Sequence, residues 1–239
     1  MRRVALVFLV LPLALAACGG SQYGTAERTL TPKASVQQAA TKTSDVTSLR
    51  VALSATGSAG MLSGTVTGRG GFDNVNHRGS FHLDVSEYGS FDLVVDGKTA
   101  YVKAPFLQTF LPAGKPWLKI DGANVSAKVV PQDPKQALAR LKKLANVQVV
   151  GEETIDGVTT THYHGTARQG GGAFDVWIGK DDGYVRRLGA SANGQNGNGH
   201  VIANFSDFNE PVAVTAPPAS ETVDAKTLKN NFMKLFQHG

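Results

Sequence analysis

The chain has 239 residues, of which 41% are hydrophobic and 18% charged, a balance that excludes an extended disordered chain and a polytopic membrane protein. Its single cysteine excludes a disulfide scaffold and any multi-cysteine metal site. The formal charge of +5 includes Arg2 and Arg3 in a leader expected to be removed; the other 22 basic and 19 acidic side chains form no basic stripe, so nucleic acid is not an expected partner.

Met1-Arg2-Arg3 is a short positive stretch, and Val4 to Ala16 is an apolar run too short for a standard bilayer-spanning helix. Leu15-Ala16-Ala17-Cys18 closes it and resembles the bacterial lipobox. The chemistry explains the spacing. A thiol at the membrane surface accepts a diacylglyceryl group as a thioether, and a peptidase that tolerates small residues cuts before it. Residues 1–17 are therefore expected to be a lipoprotein signal peptide and Cys18 the lipidated N-terminus, with the protein anchored on the extracytoplasmic face of the cell membrane. Residues 18–30 are small and polar and read as a flexible tether. Residues 31–239 are expected to form a single domain.

Thr31-Pro32 offers a cap followed by proline at the first helical position, and Val36, Ala39, Ala40 and Thr43 make a narrow stripe, so a helix is expected over 32–44. The apolar period then changes from 3.6 to 2. Leu49 to Leu53, the Thr/Gly-rich stretch from Met61 to Gly71, Phe81 to Val85 and Phe91 to Val95 read as strands. Gly68-Arg69-Gly70-Gly71 lacks the lysine and the strand–helix context of a phosphate loop and is read as strand or turn. Asp96-Gly97 is a type I′ hairpin signal before a returning strand at Thr99–Lys103. Asp156-Gly157 and Asp182-Gly183 repeat the device, and an Asn/Gly stretch over 193–199 leads into Val201–Phe208. Consecutive hairpins imply an antiparallel meander. Asp133-Pro134-Lys135-Gln136 predicts a helix start, with Ala137, Leu138, Leu141 and Leu144 on one face over 134–145. Leu228, Phe232, Leu235 and Phe236 predict an amphipathic helix at 224–236.

About ten strands cannot stay one flat open sheet. The expected class is α+β: a strongly curved antiparallel sheet, a half-barrel, covered by about three helices over a hydrophobic cavity. The segment Ala104 to Pro116 sets Phe106, Leu107, Phe110 and Leu111 between prolines, in one short helical turn that either seals the core or gates a pocket.

Catalytic and metal signals are thin. The chain has no G-x-S-x-G, P-loop or H-E-x-x-H pattern. His162 and His164 share a strand face but lack two further ligands for a structural zinc site. Glu152-Glu153 reads as solvated charge, and Trp117 and Trp177 as core or rim packing. The expectation is a non-enzyme without cofactor or metal; an envelope hydrolase is the distant rival, with His162 and Glu152 its only candidates.

Three stretches carry a family resemblance: Phe91-Asp92-Leu93-Val94-Val95-Asp96-Gly97-Lys98-Thr99-Ala100-Tyr101-Val102, then Lys115-Pro116-Trp117-Leu118-Lys119-Ile120, then Asp175-Val176-Trp177-Ile178-Gly179 leading to Val185-Arg186-Arg187-Leu188. With the lipobox, tether and strand order they resemble the LppX/LprA/LprF/LprG family of actinobacterial lipoproteins, within the broader LolA/LolB-like group. The resemblance implies a half-barrel over a hydrophobic cavity and the binding and moving of acylated lipids or glycolipids in the cell envelope, with a membrane transporter as a further candidate partner. It supplies no short ligand signature to carry over. Alternation and composition nominate Val51, Leu53, Phe81, Leu83, Val85, Phe91, Leu93, Val95, Phe174, Val176 and Ile178 as cavity lining, and Phe106, Leu107, Phe110 and Leu111 as its mouth. The alternative is an envelope scaffold or sensor that binds protein partners and carries no lipid. A wide apolar pocket favours the carrier, and a solid core favours the scaffold.

Overall fold

The first helix starts where its capping chemistry allows. Thr31 Oγ1 accepts a hydrogen bond from the Ala34 backbone N–H at 3.3 Å, and Pro32 stands in the first turn, where its missing N–H costs nothing. Helix α1 then runs Pro32–Ser44, with Val36, Ala39, Ala40 and Thr43 buried. The computed structural model describes residues 30–59, 62–121, 134–167, 172–194 and 197–228. The expected leader, Cys18 and all of the expected tether but Leu30 lie outside them.

Six strands follow α1: β1 Ser48–Ala59, β2 Leu62–Asp73, β3 Arg78–Val85, β4 Gly89–Asp96, β5 Thr99–Lys103 and β6 Trp117–Asp121. Helix α2, Pro134–Leu141, leads into β7 Leu144–Ile155, β8 Val158–Ala167, β9 Ala173–Gly179, β10 Val185–Gly194 and β11 Gly197–Ser206. A last short strand, β12, spans Thr222–Asp224. Among the described residues these form one sheet in the order β12-β6-β5-β4-β3-β2-β1-β11-β10-β9-β8-β7. Two meanders, β1–β6 and β7–β11, join where β1 pairs with β11, with Val51 opposite Phe205. The pairing is antiparallel throughout except for β12 on β6. The edge strands β12 and β7 do not meet, so the sheet curls without closing.

The three Asp-Gly dipeptides expected to turn hairpins make three different connections. Asp156 and Gly157, with φ of 49° and 81°, form a two-residue loop between the paired Ile155 and Val158, the type I′ geometry expected. Asp96, in contrast, pairs with Thr99, so the loop is Gly97-Lys98 and only Gly97 has a positive φ, 59°. That corrects type I′ to type II′. Asp96 stays in the strand, held by Arg78 Nε at 2.8 Å. Asp182-Gly183 lies in a longer connection, where Arg186 grips the Asp182 carboxylate and the Tyr184 N–H donates to it at 3.1 Å.

Helix α2 ends at Leu141, short of the expected 145, because Leu144 already pairs with Ala167. Asp133, its expected cap, lies outside the described residues. At the C-terminus residues 225–228 are helical, while Phe232, Leu235 and Phe236 lie outside the described residues.

The core has two centres. Helices α1 and α2 pack on the β7–β10 half, burying Val36, Ala40, Leu138, Leu141, Val176 and Val185 to 1% exposure or less. Each such leucine or valine contributes about 1.5–3 kcal/mol. The second centre, on β2–β5, gathers Phe72, Phe81, Leu93, Ala100 and Val102. The 3₁₀ turn Pro105–Thr109 flanks it, with Leu107 packed on its edge. The helices thus cover one half of the sheet, and space remains between the two centres.

Candidate functional site

Strand register explains that space. Leu53 on β1 stands between Gly68 of β2 and Ala203 of β11, and Ala55 lies opposite Val201. Further out, Ala203 pairs with Leu188 and Ala190 with Phe174. Glycine and alanine at 55, 68, 190 and 203 leave the concave face thin just where no helix fills it. The result is a cavity of about 350 Å³ between the two core centres. Phe72, Phe81 and Leu83 form one wall, Leu188 and Phe205 the other, and Ala137 and Arg140 of α2 the roof. Arg140 is its only polar lining side chain among the described residues. A volume in the range of ligand pockets with an almost wholly apolar lining suits hydrocarbon rather than a polar metabolite.

Arg140, Phe174, Ala190 and Val201 also line a broader outer cleft of about 920 Å³, so the cavity opens into it. Lys33 and Gln37 of α1 and Lys142 and Lys143 beyond α2 form that cleft's rim.

The sequence-nominated residues divide between cavity and core. Val51, Leu53, Phe81, Leu83 and Phe174 line the cavity. Val85, Phe91, Leu93, Val95, Val176 and Ile178 do not. Val176 and Ile178 share the inward face with Phe174 but lie in the core centre that the helices cover. Leu93 is 3% exposed in the second centre, with Val95 packed on it. Val85 is half-buried, and Phe91 stacks obliquely on Phe106 with ring centres 5.8 Å apart. Among the nominated mouth residues, Leu111 is buried and Leu107 packs on the second centre, whereas Phe106 and Phe110 are exposed. None of these four lines the cavity or the outer cleft.

The sequence reading missed Ala55, Gly68, Phe72, Ala137, Arg140, Leu188, Ala190, Val201, Ala203 and Phe205. Alternation over 201–205 and 188–190 was a usable signal. What was not legible is that a cavity needs small inward residues as much as large ones.

The opposite sheet face holds a polar cluster. His162 Nε2 and His164 Nδ1 each lie 2.9 Å from the same Asp175 Oδ1. His162 also stacks on Trp177 at 4.2 Å between ring centres and faces Glu153 at 3.4 Å. Glu152 instead accepts from Lys180 Nζ at 2.6 Å, so the acid beside His162 is Glu153. Burial raises the Asp175 carboxyl pKa, but hydrogen bonds from His164 and His162 outweigh it and hold it below the ordinary value. Among the described residues no group of His, Cys, Asp and Glu is arranged to hold a metal ion.

A family model described as LppX_LprAFG lipoprotein matches residues 31–214. A Streptomyces coelicolor relative named "Putative lipoprotein SCO4650" is 34% identical over 113 residues, 45% of this chain and 38% of that protein's length. The fold is similar to that of the Mycobacterium tuberculosis lipoprotein LppX, at a TM-score of 0.55 and 22% identity over 77% of this chain and 98% of that one. It is equally similar to LprF from Mycobacterium bovis, at a TM-score of 0.55 and 18% identity over 79% and 97% of the two chains.

Proposed function

We propose that this chain, which belongs to the LppX_LprAFG lipoprotein family, binds the acyl part of a lipid or glycolipid in its central cavity and carries it in the cell envelope while tethered to the membrane through Cys18. The observation that carries the reading is the cavity itself: about 350 Å³, apolar apart from Arg140, and open to solvent through the outer cleft. The scaffold alternative calls for a core packed solid at this point.

Physical chemistry says why such a cavity is useful. Burying a methylene is worth about 0.8 kcal/mol, so a chain of about sixteen carbons leaving a bilayer alone would cost on the order of 10 kcal/mol. An apolar pocket replaces most of that burial. The polar end stays in the cleft, where water reaches it. Nothing in this task needs a catalytic group.

Ala190 stands where cavity and cleft meet, which makes it the point to plug. The test is uptake of a pyrene-labelled fatty acid by the full-length chain and its Ala190→Trp variant. The reading predicts saturable uptake that falls at least about tenfold in the variant, the size of losing two buried methylenes, with an unchanged circular dichroism spectrum. Equal uptake by both folded proteins would overturn it.

A further inference from the structure

The outer cleft carries a charge pattern that a hydrocarbon pocket alone does not require. Lys33, Arg140, Lys142 and Lys143 line it, and among the described residues no aspartate or glutamate does. The chain holds 19 acidic residues, and other cations use them: Arg78 with Asp96, Lys119 with Asp121, Lys180 with Glu152, Arg186 with Asp182. No carboxylate among the described residues pairs with the four cleft cations. Gathering like charges is unfavourable unless a counter-charge arrives. Gln37 Nε2 on α1 donates to the Lys142 carbonyl at 2.9 Å and so ties α1 to the chain just beyond α2 at the rim. Arg140 reaches both spaces, so the charge begins where the apolar lining ends.

We propose that this cleft receives the anionic group, phosphate or carboxylate, of the lipid whose chain fills the cavity, so that the cargo is an acidic amphiphile rather than a neutral one. The proposal rests on the cavity reading above and adds the head-group chemistry to it. A fork of guanidinium and ammonium donors at a half-open site suits an acid oxygen: charge-assisted bonds are stronger than neutral ones, and a neutral hydroxyl head leaves the four charges uncompensated.

The experiment is native mass spectrometry of the full-length chain in a mild detergent. The protein is offered an equimolar mixture of palmitoyl lysophosphatidylglycerol and monopalmitoylglycerol, which share one acyl chain. The expected result is a preference of about tenfold or more for the acidic lipid, the size of one charge-assisted hydrogen bond. That ratio should fall with rising ammonium acetate and approach one in the Lys33→Gln/Lys143→Gln variant. Equal binding of the two lipids to the parent protein would overturn the head-group proposal and leave the cavity reading standing. Binding of neither lipid would defeat the cavity reading, and this proposal with it. An unchanged ratio in the variant would reduce Lys33 and Lys143 to general surface charge and overturn their role here. Two further results would also overturn it. One is inorganic phosphate binding as tightly as the acidic lipid without displacing it. The other is a variant that keeps the ratio yet no longer sediments with phosphatidylglycerol vesicles, which would make the cleft a membrane-docking face.

Discussion

Gly70 lies opposite Phe81 across the β2–β3 ladder, and the Phe81 ring fills the space that a Cβ at position 70 would need. The ring in turn packs on Phe72 at 4.9 Å between centres and forms part of the cavity wall. A missing side chain on one strand thus sets the position of a large one on the next. Gly70→Ala must displace Phe81 or bend the ladder. The expected cost is about 1–3 kcal/mol in urea unfolding, with bound lipid reduced. An unchanged unfolding midpoint would show that the ring has room elsewhere.

Helix α1 is held to the sheet by a polar contact as well as by its apolar stripe. Thr43 is fully buried, and its hydroxyl accepts from the Val185 N–H at 2.9 Å, at the start of β10. Thr43→Val keeps the shape and leaves that N–H without an acceptor. The variant should lose about 1–3 kcal/mol, with faster amide exchange at Val185. Equal stability and exchange would mean the hydroxyl contributes nothing.

The cluster on the outer sheet face makes a pH prediction. The Asp175 pKa is depressed in the fold, so its contribution is complete above the unfolded value, about 3.9, and is lost as pH falls through the lower folded value. Asp175→Asn removes that contribution. The stability gap between parent and variant should therefore be widest above about pH 5 and shrink as pH drops below about 4. Urea titrations at several pH values measure it. A gap that stays constant or widens towards acid would contradict the assignment.

Anchoring is tested at Cys18, the only cysteine in the chain. The Cys18→Ser variant cannot form the thioether. It should leave the detergent-soluble membrane fraction, and metabolic labelling with an alkyne-bearing palmitate should mark the parent chain alone. Labelling of the variant, or retention on the membrane, would refute lipidation at this position.

Much of the architecture was legible because local chemistry and global fold agree. Thr31-Pro32 placed α1 to the residue, and Asp156-Gly157 placed a hairpin whose loop has the expected geometry. Alternation and turn signals named most of the strands, though not β6 or β12, and left open which sheet face is concave. Alternation could not say which inward residues lie under a helix. Phe174, Val176 and Ile178 alternate identically, yet the first lines the cavity while the other two are packed beneath the α1–α2 pair. That difference depends on α1 crossing to β7, β9 and β10 rather than lying on its sequence neighbour β1. The Phe106–Leu111 segment misled in a similar way, since its apolar residues pack beside β4 and the second core centre, away from the cavity opening. The glycines of β2 read as strand or turn; in the fold Gly70 and Gly68 make room for Phe81 and Leu83, which line the cavity.

The central claim is that the cavity holds a lipid. The most direct measurement is native mass spectrometry of the full-length chain, produced in an actinobacterial host and extracted in a mild detergent, with the released ligand identified by its fragments. The account predicts a co-purifying acylated molecule of defined mass, present near one per chain and lost from the Ala190→Trp variant. A ligand-free mass that stays free after exposure to envelope lipid extracts would contradict it.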